Sequence, residues 1–196
     1  MLIDGSKLTN FPILSLHMGM PIAHITEPII DPHKLQIVAF HLTGPEVGGE
    51  NGTILDARDI REFSNLGMII DSSDSFINPG DVIRLDDIIK LNFSLVGLKV
   101  ETKKGSKLGR VTGYTFEPST LSIHQLIIKR PALKALTDPE LVIPRSEIVS
   151  IDDYKVIVKD EEKEIKQKAV KEDFVPNFVN PFREPDFAPS PIDREE

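Results

Sequence analysis

The 196-residue sequence predicts a mainly β fold: two small β-barrels in tandem, a short connecting helix and an extended C-terminal tail. Three observations lead to this prediction. A β-rich unit occurs twice, short apolar runs alternate with turn residues in both occurrences, and a proline-rich segment follows them. We divide the chain into copy one (1–78), a connector (79–91), copy two (92–159) and a tail (160–196) with a charged helix and a Pro/Phe-rich end.

The duplication is visible as three gapless blocks in the same order. Residues 22–37 recur 86 positions on as 108–123, with an acid, a proline and a Leu-x-Ile pattern in equal places. Residues 54–60 then match 142–148 at an offset of 88. Upstream, Asn10-Phe11 matches Asn92-Phe93 at an offset of 82, which predicts a first hairpin four residues longer in copy two.

Within each copy, short apolar runs lie between turn signals. In copy two, residues 121–128 begin with alternation and end in an apolar run, which is typical of a strand with one or both faces covered. Glu117-Pro118 favours a turn before it, and residues 144–147 suit a single helical or 3-10 turn with Pro144 at its start. We expect five or six strands per copy, curled into a barrel that protects the sheet edges.

The connector and the tail differ from the copies. Pro79-Gly80-Asp81 turns the chain, and residues 86–91 predict a short helix that leads into copy two. From residue 160 a charged segment suits an exposed helix with Glu-to-Lys pairs, such as Glu162 with Lys166. The repeated prolines beyond it exclude further helix.

Four phenylalanines stand in this proline-rich end: Phe174, Phe178, Phe182 and Phe187. Solvating tails are poor in aromatic residues. Phenylalanine on a proline-stiffened chain is typical of segments that dock into a groove of another protein. The tail is therefore a candidate protein-binding segment, and the alternative is a strap that folds back over the barrels of its own chain.

Composition limits the function. The net charge of −8 argues against broad nucleic-acid binding, which needs clustered cations. The absence of cysteine excludes disulfides, thiolate catalysis and cysteine-ligated metals. No basic segment followed by an apolar run opens the sequence, and no apolar stretch is long enough for a membrane span, so we expect a cytoplasmic protein.

No arrangement of residues predicts catalysis. The histidines lack the i, i+3 or i, i+4 spacing of helical metal ligands: His17, His24, His33, His41 and His124. Nucleotide-binding fingerprints and the nucleophile elbow are also missing from the sequence. We therefore expect no catalytic residues, no cofactor and no metal.

Two basic clusters of copy two are candidate contacts to a partner. Lys129 and Arg130 begin its longer loop, and Lys103 and Lys104 lie in its first hairpin. Lys99, Lys107 and Arg110 accompany that hairpin. These cations can meet RNA or an acidic protein, and the alternative is that they are solvated loop tips.

Copy two resembles the PRC-barrel domain. The resemblance rests on four motifs: Val96-Gly97-Leu98-Lys99-Val100, then Gly105-Ser106-Lys107-Leu108-Gly109-Arg110-Val111, then Pro144 with Ile148, and Val156-Ile157-Val158. Copy one departs from the pattern, with Ala23 for the second glycine and Asp56 for the proline. PRC-barrel relatives include the H subunit of the photosynthetic reaction centre, a ribosome maturation factor, sporulation proteins and archaeal cell-division adaptors.

The resemblance implies a docking module without catalysis. We expect a non-catalytic adaptor that binds another protein. The alternative is a ribosome- or RNA-associated maturation factor that contacts a ribosomal protein. We expect a monomer, because two fused copies already supply the face that a single-copy domain would seek in a homodimer.

Overall fold

The computed structural model describes residues 1–48, 52–131 and 139–160. These residues form one large, curled β-sheet of mixed parallel and antiparallel strands, a half-barrel, with one short helix. The prediction of a mainly β chain with a short connecting helix is confirmed. Residues Met1–Asp160 belong to one unit.

The described part of the chain has fourteen strands and the helix α1 (Ile83–Lys90). The strands before the helix are β1 (Ile3–Asp4), β2 (Pro12–Ser15), β3 (Met20–Asp31), β4 (Gln36–Thr43), β5 (Ile54–Asp56), β6 (Glu62–Phe63), β7 (Met68–Ile70) and β8 (Phe76–Ile77). Those after it are β9 (Lys99–Thr102), β10 (Lys107–Glu117), β11 (Ser122–Lys129), β12 (Glu140–Pro144), β13 (Ile148–Ile151) and β14 (Lys155–Val158). A 3-10 turn at Arg145–Glu147 lies where the sequence predicts one.

The strands follow the order β13-β14-β9-β10-β11-β4-β3-β2-β7-β6 across the sheet. Four further pairings lie off this path: β1 with β10, β12 with β11, β5 with β4, and β8 with β5. The pairs β2–β7 and β9–β14 are parallel, and the other pairs are antiparallel. In each copy a strand near the end therefore lies beside a strand of the first hairpin.

The strand pairing itself repeats between the copies. All seven register pairs of β3 with β4 recur 86 residues on in β10 with β11, and bulges interrupt both ladders at the same two places. The β4–β5 pair Phe40–Leu55 recurs as Leu126–Ile143. The offsets of 86 and 88 in the sequence therefore correspond to equal strand registers.

The upstream offset of 82, in contrast, is wrong. The Asn10 N–H donates to the Ile25 carbonyl (2.8 Å) as the Gly97 N–H donates to the Val111 carbonyl (2.8 Å), so the true offset there is 87. Four residues connect β2 to β3 and four connect β9 to β10, so the hairpin of copy two is not longer. The mistaken block also matched Leu14-x-Leu16 to Val96-x-Leu98. Leu16 is 61% exposed, so its apolar character carries no information on burial.

One apolar core inside the curl takes side chains from both copies. Phe40 and Phe116 are fully buried in it. The ring of Phe63, from copy one, stacks on Phe11 at 5.0 Å and meets Phe116, from copy two, edge-on at 5.8 Å. The copies therefore share a core as well as a sheet.

The copies join at the pairing of β4 with β11. The Ile37 N–H donates to the Leu121 carbonyl (3.0 Å). The Ile123 N–H donates to the Leu35 carbonyl (2.9 Å), at positions 86 residues from the first bond, so the junction has local two-fold symmetry. Arg145 breaks this symmetry, because its guanidinium donates to the carbonyls of Leu35 (3.2 Å) and Ile123 (3.4 Å).

Helix α1 covers the outer face of copy one. Its Leu85 packs in a second small apolar cluster with residues of β3, β4 and β5: Ile29, Val38, Ala39 and Ile54. Arg84 on the same helix forms an ion pair with the buried Asp56 (2.9 Å). None of the helices in the described residues has the length and apolar character of a membrane span.

Candidate functional site

Four cationic side chains occupy neighbouring positions on four adjacent strands of copy two. Lys155 of β14 is the register partner of Lys99 of β9. Lys99 is also the partner of Arg110 of β10, which pairs in turn with Lys129 of β11. Register partners project from the same face of a sheet, and neighbouring strands lie about 4.8 Å apart. The four residues thus form a row roughly 14 Å long, which we call the basic row.

The basic row lies on the outer face of the sheet. Each of its members has a buried apolar neighbour in the chain: Val156, Val100, Val111 and Ile128. Because successive side chains of a strand point to opposite faces, the row points away from the core. Lys99, Arg110 and Lys129 are exposed, and Lys155 is half-buried.

Like charges repel each other along the row, and nearby acids compensate only its ends. The Lys155 ammonium lies 3.6 Å from the Glu101 carboxylate, and Glu140 is the register partner of Lys129. The Arg110 guanidinium donates to the Gly97 carbonyl (3.0 Å), which is a neutral acceptor. Among the described residues, Lys99 and Arg110 form no ion pair. Directly opposed like charges destabilise a sheet, so an anionic ligand would relieve this repulsion.

A groove of about 700 Å³ runs beside the row. Lys99, Arg110 and Lys129 line it together with Lys107 and Arg130. Val96 and Pro131 add exposed apolar surface, and the lining also includes one acid, Glu101. Val100 and Val111 line the groove as well, but their side chains are buried and belong to the core. The site therefore combines cations that attract an anionic chain with a small exposed apolar surface.

Copy one has no such row at the equivalent positions. Pro12 and His24 are register partners where copy two has Lys99 and Arg110. Thr43, the partner of His24, stands where copy two has Lys129. The shared scaffold thus carries the charge on one copy only, which makes copy one an internal control.

The structure brings together only part of the basic residues that the sequence singles out. Lys129 belongs to the row and Arg130 lines its groove. Lys103 and Lys104 lie in the turn at the other end of β9, where their N–H groups donate to the Val158 carbonyl (3.0 Å) and the Asp160 carboxylate (2.9 Å). The candidates Phe174, Phe178, Phe182 and Phe187 lie outside the described residues.

Sequence reasoning missed Lys155. The Val156-Ile157-Val158 motif indicates a strand at this position but not the partner of that strand. A parallel pairing between β9 and β14, some 55 residues apart, leaves no trace in a period-two pattern. The duplication repeats this pairing, since β2 and β7 pair in parallel in the same way, but only the structure reveals it.

Among the described residues, no three His, Asp or Glu side chains are grouped so that they could hold a metal ion. Asp56 is buried, yet its carboxylate is bound by Arg58 (2.7 Å) and Arg84 (2.9 Å). Burial raises the pKa of Asp56, but the bonds and charges of these two guanidinium groups outweigh it and bring that pKa below its ordinary value. Asp56 is thus an anchor for the connector.

No family model and no curated protein matches this sequence. The assignment of the basic row as a site therefore depends on strand register, exposure and charge alone. The likeness to PRC-barrel domains stays a proposal.

Proposed function

We propose that the chain is a non-catalytic adaptor built of two PRC-barrel-like modules, whose basic row binds an acidic segment of a partner protein. The observation that carries the proposal is the register of β14, β9, β10 and β11, which aligns four cations on one exposed face. Each exposed ion pair contributes at most about 1 kcal/mol. Four such pairs together contribute at most about 4 kcal/mol, which corresponds to binding of about 1 mM.

The PRC-barrel interpretation is supported by a strand pairing that both copies share. In copy one β2 pairs in parallel with β7, and in copy two β9 pairs in parallel with β14, so a strand late in each copy returns to the first hairpin of that copy. The local two-fold junction at β4 and β11 agrees with a fused pair of equivalent modules.

The charges near the row favour an acidic peptide over RNA. Glu101 and Glu140 flank it, and the net charge of the chain is −8, so a long phosphate backbone would be repelled beyond the row. A short peptide can place a few carboxylates on the row and avoid these acids. One observation favours the runner-up, an RNA-associated factor: Tyr154, next to Lys155, is 80% exposed and can stack on a base.

A labelled decapeptide with glutamate at alternate positions tests the proposal by fluorescence anisotropy. We expect binding with a dissociation constant of about 1 mM that weakens further as salt rises, because the charges are exposed. Arg110→Gln removes the central charge of the row and should weaken binding by up to about fivefold. Lys90→Gln removes an equal, exposed charge at the end of α1 and should leave binding unchanged.

Two outcomes would count against the proposal. If Lys90→Gln weakens peptide binding as much as Arg110→Gln does, the peptide responds to overall charge and not to the row. If a single-stranded RNA of equal charge binds more tightly than the peptide and Tyr154→Ala weakens it, the RNA-associated function replaces the adaptor. The tail is a second proposed docking element, and comparison with a chain that ends at Asp160 measures its share.

A further inference from the structure

The hairpin between β2 and β3 carries three exposed side chains that are soft metal ligands: His17, Met18 and Met20. Met18 and Met20 are 46% and 51% exposed, whereas Met68 is fully buried. Methionine is among the residue types that are most often buried. Packing in the core therefore does not explain why two of the four methionines of the chain stand beside an exposed histidine.

Backbone and hydroxyl bonds hold this turn closed. Ser15, the last residue of β2, is the register partner of Met20, the first residue of β3. The buried Ser15 hydroxyl accepts the Met18 N–H (3.2 Å) and donates to the Asp71 carbonyl (3.2 Å). Consecutive Cα atoms are about 3.8 Å apart, so those of His17 and Met20 are at most about 11 Å apart. The flexible side chain of methionine can bring its sulfur to a cation shared with the histidine over this distance.

The equivalent hairpin of copy two has a different chemistry. The first residue after β2, like the first residue after β9, donates its N–H to the last residue of the parallel partner strand (2.9 Å and 3.0 Å). Lys104 therefore stands where copy one has His17, and Lys107 begins β10 where Met20 begins β3. Copy two thus has cations at this hairpin where copy one has soft ligands.

The ligand types at the turn favour a soft cation over a hard one. Asp71, whose carbonyl accepts the His17 N–H (3.0 Å), has its carboxylate bound by the Arg61 guanidinium (2.6 Å). That carboxylate is therefore already engaged, and hard cations such as Mg²⁺ and Ca²⁺ need oxygen ligands. Thioether sulfur is soft and selects Cu(I), and imidazole also binds copper.

We propose that His17, Met18 and Met20 bind one soft monovalent cation of the Cu(I) class, through an imidazole nitrogen and two thioether sulfurs. The spacing of the histidines alone does not reveal this site, because two of its three ligands are methionines. The site lies on copy one and shares no residue with the basic row, so its test is independent of the proposed adaptor function.

Silver(I), a redox-stable cation of the same class, tests the proposal by NMR in chloride-free buffer. The full chain carries isotope-labelled methionine methyl groups, which report on each sulfur separately. We expect the signals of Met18 and Met20 to shift together and to saturate at one silver ion per chain. Met1, which is also exposed, and the buried Met68 are internal controls and should not shift.

Three variants assign the ligands. Met20→Leu keeps an apolar side chain of similar size but removes the sulfur, and it should weaken silver binding at least about tenfold. His17→Gln should weaken that binding as well. His124→Gln is the matched control, since this exposed histidine lies on β11, and it should leave binding unchanged.

Four outcomes would overturn the proposal. They are the absence of saturable silver binding, equal shifts at Met1 and at the hairpin methionines, unchanged affinity in Met20→Leu, and equal loss of affinity in His124→Gln and His17→Gln. All substituted side chains are exposed, so we expect the variants to fold.

Discussion

At the scale of single residues, both copies need a glycine where two strands approach closely, but they place it on opposite strands of the pair. In copy two Gly109 has a φ of +151°, and a Cβ there would lie 2.1 Å from the Lys129 carbonyl oxygen. In copy one Ala23 occupies the equivalent position, and the glycine stands across from it at Gly44, where a Cβ would lie 2.7 Å from the Ala23 Cα. Each copy thus keeps one side of the crossing free of a side chain.

This crossing gives the first prediction. Gly109→Ala should destabilise the protein by about 2 kcal/mol or more, because both the backbone conformation and the Lys129 carbonyl exclude a Cβ. Gly113→Ala is the control in the same strand, since its Cβ would meet Ile127 at an ordinary 3.5 Å. It should change stability little or increase it. Urea unfolding measures both variants, and equal midpoints would contradict the account.

The sequence alone reveals only one of the two changes at this crossing. It shows Ala23 as a departure from the glycine of the PRC pattern. It does not show that Gly44 compensates, because the two residues are far apart in the chain and meet only through the register of β3 and β4. The departure is therefore compatible with the same strand geometry in both copies.

At the scale of elements, helix α1 makes the copies different. The outer face of copy one is apolar at Ile29 and Val38, and the helix covers it. The equivalent positions of copy two are Thr115 and His124, of which His124 is exposed. The polar residues of copy two explain why that face tolerates solvent.

Leu85 packs α1 against copy one, and its side chain is 1% exposed. Leu85→Ala should lower the free energy of unfolding by about 2–4 kcal/mol, through lost burial and the cavity left behind. Ile83→Ala is the matched control on the same helix, because Ile83 is 79% exposed. Its effect should be within about 0.5 kcal/mol. A similar loss in both variants, measured by urea unfolding, would show that the helix contributes by propensity and not by packing.

The strands and the helix were largely predictable because each depends on local signals. Alternation, the turn at Glu117-Pro118 and the 3-10 turn after Pro144 are all found where the sequence predicts them. The first hairpin was misaligned because exposed apolar residues such as Leu16 imitate a buried pattern. Pairing between distant strands, which creates the basic row, is not a local property.

At the scale of the whole molecule, duplication and divergence have separate consequences. The duplicated registers give two equivalent scaffolds that share one sheet and one core. Divergence of exposed residues on this scaffold places four cations on copy two and Pro12, His24 and Thr43 on copy one. The sequence could predict which loops differ, but it could not predict that Lys155 joins residues of β9, β10 and β11.

The central claim is that binding belongs to the basic row of copy two and not to the scaffold that both copies share. Amide chemical shifts of the full chain, followed by NMR during titration with the glutamate decapeptide, test it most directly. We expect the largest shifts at Lys99, Arg110, Lys129 and Lys155, and none at His24 and Thr43, which occupy equivalent positions in copy one. Equal shifts in both copies, or shifts that spare the row, would show that binding is not specific to the row.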